Sequence, residues 1–252
     1  MSAAIAVPAG GPLFEGHFPG RPILPGIAEL ALIAAAAAPG GSADEVSAIP
    51  FARFRGLVGP GDRLDLATVP RPDGGIRFEA RRAGELVANG ALTFGPQPRD
   101  HCAPHAVAAR RASGAPHLHD LIPHRPPMLF VDRILGEADD GATCVGRVPA
   151  ACALVQGGRV PGFVALELAA QTAAVWEALR RQRETGGPSV RTGYLVSLKD
   201  VVLYRRTIEA DAELIASVRL EAAMAELTTY AVDVAVEGGL LLQGTIGTYL
   251  GD

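Results

Sequence analysis

The chain reads as one unit written twice, and this repetition limits its fold more than any other feature. Each half has a Pro-Gly pair leading into an apolar helix, at Pro25-Gly26 and again at Pro161-Gly162. Proline suits a first helical turn because the N–H it lacks would go unpaired there anyway. Each half then runs into strand-like alternation: "DRLDLATV", "IRFEARR" and "LVANGALTF" in the first, "AELIASVRL", "LTTYAVDVAV" and "LLLQGTIGTYL" in the second. The segment "FRGLVGPGDRL" at 54–64 can be laid on "YRRTIEADAEL" at 204–214 without a gap. A repeat this long is a duplicated domain, not a solenoid with a period of about 20–50 residues.

One helix followed by a run of antiparallel strands is an α+β pattern. The first helix, "IAELALIAAAAA" at 27–38, is apolar nearly all round and must be enclosed by other structure. A strongly curved sheet wrapped around a central helix encloses it, and two such units side by side make one continuous sheet. The stretch "GPQPRDHCAPHAVAARRASGAP" at 95–116 lacks strand or helix periodicity. The expected organisation is therefore a first domain over 1–96, a linker over 97–116 and a second domain over 117–252. The second half opens with "LIPHRPPMLFVDRI", which the first half lacks. His124 and Arg125 within it are expected to be structural, because proline and an apolar run start the second domain there.

A net charge of −4 argues against a nucleic-acid binder held by counterion release. Three cysteines, Cys102, Cys144 and Cys152, give no paired spacing and point to a reducing compartment. "MSAAIAVPAGG" has no basic region ahead of an apolar core, and the longest apolar run falls short of the roughly 20 residues of a membrane span. The expectation is a cytoplasmic protein without membrane association. His105, and His117 and His119 in "HLH", lack a matched set of ligands, so no metal site is expected.

His17 lies in "GHFPGRPILPG", residues 16–26, just before a helix. Free N–H groups at a helix start favour negative charge on a bound carbonyl. A neutral imidazole there could remove a proton from the adjacent carbon, and backbone N–H groups near Gly26 could stabilise the enolate. This stretch, with "ARFRGLVGPGDRL" and "GELVANGALTFG", resembles the FabZ-type β-hydroxyacyl-acyl-carrier-protein dehydratases of the hotdog fold over most of residues 12–95. In that family the histidine works with a carboxylate fourteen residues later, and here that position is Ala31. Glu29 does not substitute, since two residues turn a helix by roughly 200°.

The second half supplies a carboxylate. In "VPGFVALELAAQ", Glu167 follows Gly162 by the spacing that separates Ala31 from Gly26. Gln171 follows one turn later and could orient it. The matching histidine position of this half is Ala153. Each half thus holds the group the other lacks, and the resemblance to two-fold dimers implies one composite site made of His17 and Glu167, with the related site, Ala31 and Ala153, inactive. Burial is expected to raise the pKa of Glu167, as suits a general acid.

"PHRPPMLFVDRI", "VPGFVALELAAQTAAVW" and "GYLVSLKDVVLY" resemble the ApeP-type subunit of aryl polyene biosynthesis, and the first half resembles its ApeI-type partner, as in a fusion of the pair. The resemblance implies a double hotdog packed as an internal pseudo-dimer, open to further homo-oligomerisation, that dehydrates 3-hydroxyacyl chains on acyl carrier protein to trans-2-enoyl thioesters. His17 would take the C2 proton and Glu167 would protonate the departing hydroxyl. Gly26, or alternatively Gly162, would polarise the carbonyl, with Phe18, Gln171 and Phe163 lining the substrate site. No cofactor is implied. A hotdog acyl thioesterase and a non-catalytic acyl-carrier-binding subunit are the alternatives. Arginines 53 and 55, 180, 181 and 183, or 205 and 206 could dock an acidic carrier protein.

Overall fold

The structure, a computed structural model, describes residues 2–98, 117–186, 190–237 and 239–251. Most of the expected linker, residues 99–116, lies outside them, as do Cys102 and His105. The first half contains β1 (Ser2–Ala6), α1 (Gly26–Ala37), β2 (Val46–Phe54), β3 (Arg63–Pro70), β4 (Ile76–Arg82) and β5 (Glu85–Phe94). The second contains β6 (Val131–Ala138), β7 (Gly141–Gly146), β8 (Arg159–Pro161), α2 (Leu166–Thr185), β9 (Gly193–Leu203), β10 (Thr207–Glu209), β11 (Leu214–Met224), β12 (Leu227–Val236) and β13 (Gly239–Leu250).

Eleven of these strands form one sheet in the order β1-β3-β4-β5-β2-β9-β13-β12-β11-β7-β6. The order is a mirror: read inward to the centre, β1-β3-β4-β5-β2 is matched by β7-β11-β12-β13-β9, and β6 is an addition to the second half alone. The halves join where β2 pairs antiparallel with β9, Ala48 opposite Val202 and Ala52 opposite Leu198. Strand alternation sets which side faces in. In β3, Leu64, Leu66 and Thr68 are buried while their neighbours are exposed, and Leu214, gap-free counterpart of Leu64, is equally buried.

Both helices are enclosed by this sheet, as the double hotdog requires. Ile27, Leu30, Ile33 and Ala34 of α1 are completely buried. The apolar first part of α2 packs against β7, β11 and β12, whereas its "RRQRET" end reaches the surface and stops at Gly186, whose φ of 72° a glycine adopts without strain. The second helix differs from the first in its start: Gly162–Ala165 form a tighter 3₁₀ turn before α2 begins. β8 and β10 form a separate two-stranded ribbon beside that turn.

Candidate active site

His17 sits on the loop between β1 and α1 and is 8 % exposed. Its Nδ1 lies 3.2 Å from the Ile23 carbonyl oxygen. A carbonyl only accepts, so Nδ1 carries the proton and Nε2 keeps a lone pair. The ring packs on Phe18, with centroids 3.9 Å apart. Burial, aided by the neighbouring His124 and opposed by Glu167, lowers the His17 pKa to about 4, so the imidazole is a neutral base at ordinary pH.

Glu167 arrives from the other half, in the first turn of α2, and is also buried. Gln171 orients it as its spacing suggests: Gln171 Nε2 donates to Glu167 Oε1 at 3.0 Å and to the Met128 carbonyl at 2.7 Å, while its own Oε1 accepts from Phe130 N at 2.8 Å. One amide thereby ties the carboxylate to the segment that opens the second half.

That segment brings a group to the site that the sequence reading assigned to structure. His124 Nε2 lies 3.4 Å from Glu167 Oε1, and its ring centroid is 5.4 Å from that of His17. Arg125 fixes it in place: Arg125 N donates to the Gly16 carbonyl at 2.7 Å, and its guanidinium donates to the His124 and Ile122 carbonyls. Gly16, at φ 76°, lets the strap pass so closely that an added Cβ would lie 2.1 Å from the Arg125 carbonyl oxygen. The opening segment therefore clamps the His17 loop of one half onto the Glu167 helix of the other. A signal for it existed in the repeat, since a histidine on a segment the first hotdog does without is not needed to build a hotdog.

The charge state of Glu167 is opposite to expectation. Burial by itself raises its pKa, but the hydrogen bond and charge of His124, the charge of His17 and the Gln171 amide outweigh burial and hold it at about 2. The resting carboxyl is ionised. Ring nitrogens of His17 and His124 and a Glu167 oxygen all lie within 4.8 Å of one another. Among the described residues this is the one group of three side chains spaced to hold a metal ion.

A cavity of about 790 Å³ opens onto this cluster, lined by His17, His124, Glu167, Gln171, Gly26 and Glu29 among others. Two exposed arginines also line it, Arg55 and Arg21, which donates to the Tyr194 hydroxyl at 2.7 Å. The two Pro-Gly starts are not equivalent. Gly26 is on the cavity wall, and among the described residues its N–H has no partner. Gly162 N–H instead donates to the Arg206 carbonyl at 2.6 Å, and neither Gly162 nor the fully buried Phe163 lines the cavity.

The dehydratase domain of PpsC from Mycobacterium tuberculosis superposes with a TM-score of 0.72 over 99 % of this chain and 93 % of that one, at 14 % identity. The dehydratase domain of RzxB from Pseudomonas fluorescens gives 0.72 over 97 % and 93 %, also at 14 %. At such identities the likeness is one of fold, and it spans both halves. The fold they share is a double hotdog, and here a histidine and a glutamate line one of its cavities. Family models sharpen this, with the ApeI dehydratase matching residues 1–91 and the ApeP dehydratase matching residues 116–252. The chain belongs to the ApeI-like and ApeP-like dehydratases, one of each in tandem. It is also similar to the 3-hydroxyacyl-[acyl-carrier-protein] dehydratase FabZ of Thermus thermophilus, 36 % identical over an alignment of 96 residues that covers 33 % of this chain and 68 % of that protein. The FabZ of Syntrophotalea carbinolica is 36 % identical over 104 residues, covering 35 % and 71 %. Among the described residues no helix is long and apolar enough to cross a membrane.

Proposed function

We propose that this dehydratase acts on 3-hydroxyacyl thioesters carried by acyl carrier protein and releases trans-2-enoyl thioesters from a single composite site. The observation that carries the reading is the meeting of His17 and Glu167, one from each half, on one cavity beside the Gly26 N–H, which has no partner among the described residues. The FabZ relatives support the carrier-bound substrate. The chain divides as 1–96, a linker over 97–116, and 117–252.

His17 Nε2 takes the C2 proton, and the electron pair moves into the thioester carbonyl, whose oxygen accepts from Gly26 N–H. The C3–O bond breaks as the double bond forms, and the departing oxygen needs one proton. An ionised Glu167 alone cannot give it. His124 and Glu167, with Nε2 and Oε1 3.4 Å apart, act together on one transferable proton, which Glu167 passes to the hydroxyl as water leaves. The proton on His17 then returns to the pair, and the site is reset. Phe18 holds the His17 ring and Gln171 holds the carboxylate; Gly162 and Phe163 support the start of α2.

The test is to incubate the protein with a 3-hydroxyacyl carrier protein and follow the mass of the acyl chain. Loss of one water, abolished in His17→Ala, is the expected result. Free carrier thiol without enoyl product would mean a thioesterase, and an unchanged chain that still binds would mean a non-catalytic subunit.

A further inference from the structure

The cavity wall carries a second buried acid that the dehydration chemistry leaves unused. Glu29, near the start of α1, is 2 % exposed and lines the same cavity as His17 and Glu167. Its Oε1 has no hydrogen-bond partner among the described residues. Ala170, Ala173 and Ala174, on one face of α2, line the same cavity and bring no polar side chain to it. With burial raising its pKa to about 8, Glu29 is a carboxylic acid at neutral pH, with an O–H to donate. A buried polar group left unpaired is expensive, and native proteins keep few of them. The partner that offsets this cost arrives with the ligand.

Resting on the dehydratase reading, we infer that Glu29 is a polar subsite of the acyl cavity and donates a hydrogen bond to an oxygen carried on the substrate's acyl chain. The preferred substrate is thus an oxygenated chain and not a plain hydrocarbon. The pantetheine arm also carries acceptor oxygens in its amides, so the test holds the arm constant and varies only the chain.

The probes are pantetheine amides of one 3-hydroxyacyl chain, which cannot turn over as thioesters do. One is all-carbon, and the others each replace a single methylene by an ether oxygen at successive positions. Calorimetric affinities are measured for the full chain as wild type, Glu29→Gln and Glu29→Leu. One position, or two adjacent ones, should bind wild type about five- to tenfold tighter than the all-carbon probe. Glu29→Gln, still a donor, should keep part of that preference. Glu29→Leu should lose it and bind the all-carbon probe at least as well as wild type. Absence of any preferred position, or the same preference in Glu29→Leu, would overturn the inference. So would an equal weakening of every probe, which would place Glu29 on the arm or in the fold. Turnover of the matching thioesters is followed separately. A preference without enoyl product refutes the dehydratase reading alone, and enoyl product without a preference refutes the subsite alone.

Discussion

The two halves of the molecule share a strand order and a helix start, yet the same rung of structure is used differently in each. In the first half Leu24 N–H donates to the Val58 carbonyl at 2.8 Å, which corresponds to the pairing of Val160 with Ile208 in the β8–β10 ribbon. The second half adds the next rung, Gly162 N–H to the Arg206 carbonyl, and the first half omits it at Gly26. One helix start is thereby closed for packing and the other left open for a ligand. The side chains diverge in the same way: Ala31 against Glu167, and His17 against Ala153. In the proposed site one half supplies His17 and the open N–H, and the other supplies Glu167 and the opening segment that bears His124.

The largest effects should come from breaking this division of labour. His17→Ala and Glu167→Ala should each lower kcat by about a hundred- to ten-thousand-fold in the enoyl-forming assay. Their counterparts, Ala31→Gly and Ala153→Gly, should leave it within a few-fold. His124→Gln can still donate to Glu167 but holds no transferable proton; it should cost about a hundredfold in kcat with KM little changed. An equal loss in kcat and KM would make His124 a structural element.

The glycines sharpen the comparison at the level of stability. A Cβ on Gly162 would lie 2.4 Å from the Arg205 carbonyl oxygen, whereas one on Gly26 would meet nothing closer than 3.4 Å, the Phe54 ring. Thermal melting should show Gly162→Ala destabilised by about 1–3 kcal/mol and Gly26→Ala by a fraction of that.

The first-turn glutamates of the two helices should titrate in opposite directions. Glu29 has only burial acting on it, and its pKa rises from 4.5 to about 8. The folded state then holds this proton more tightly than the unfolded chain, so its contribution is complete below 4.5 and is lost as pH rises towards 8, by at most about 1.4 kcal/mol per pH unit. Glu167, surrounded by His124 and His17, drops to about 2, so its contribution is present above 4.5 and lost as pH falls. Urea melts against pH should flatten on the alkaline side in Glu29→Gln. The activity limb belongs to His17, and kcat/KM should fall as pH drops through about 4.

Much of this was legible in the residues. The six alternating segments coincide with β3, β4, β5, β11, β12 and β13 to within a few residues, because half-buried strands must alternate. β1 and β7 escaped notice because "SAAIA" and "GATCVG" are short runs of small residues without alternation; they are strands because β3 and β11 pair with them. Glu167 could be matched to His17 because the family resemblance gives the carboxylate position, Ala31 in the first half, and the repeat carries that position into the second. For His124 the repeat offers only the absence of a counterpart in the first half, which marks its segment as extra without giving it a role, and the charge of Glu167 could not be read because its sign depends on that neighbour. Gly162 likewise looks identical to Gly26 in sequence, and only the ribbon beside it separates their roles.

The most direct test of the composite site is a double-mutant cycle on kcat/KM for a 3-hydroxyacyl carrier protein, using wild type, His17→Ala, Glu167→Ala and the double variant. If base and acid act in one site, the double variant should be little worse than the poorer single one, since either loss already disables the pair. Losses that multiply, or a fully active and folded Glu167→Ala, would show that the two halves do not share one active site.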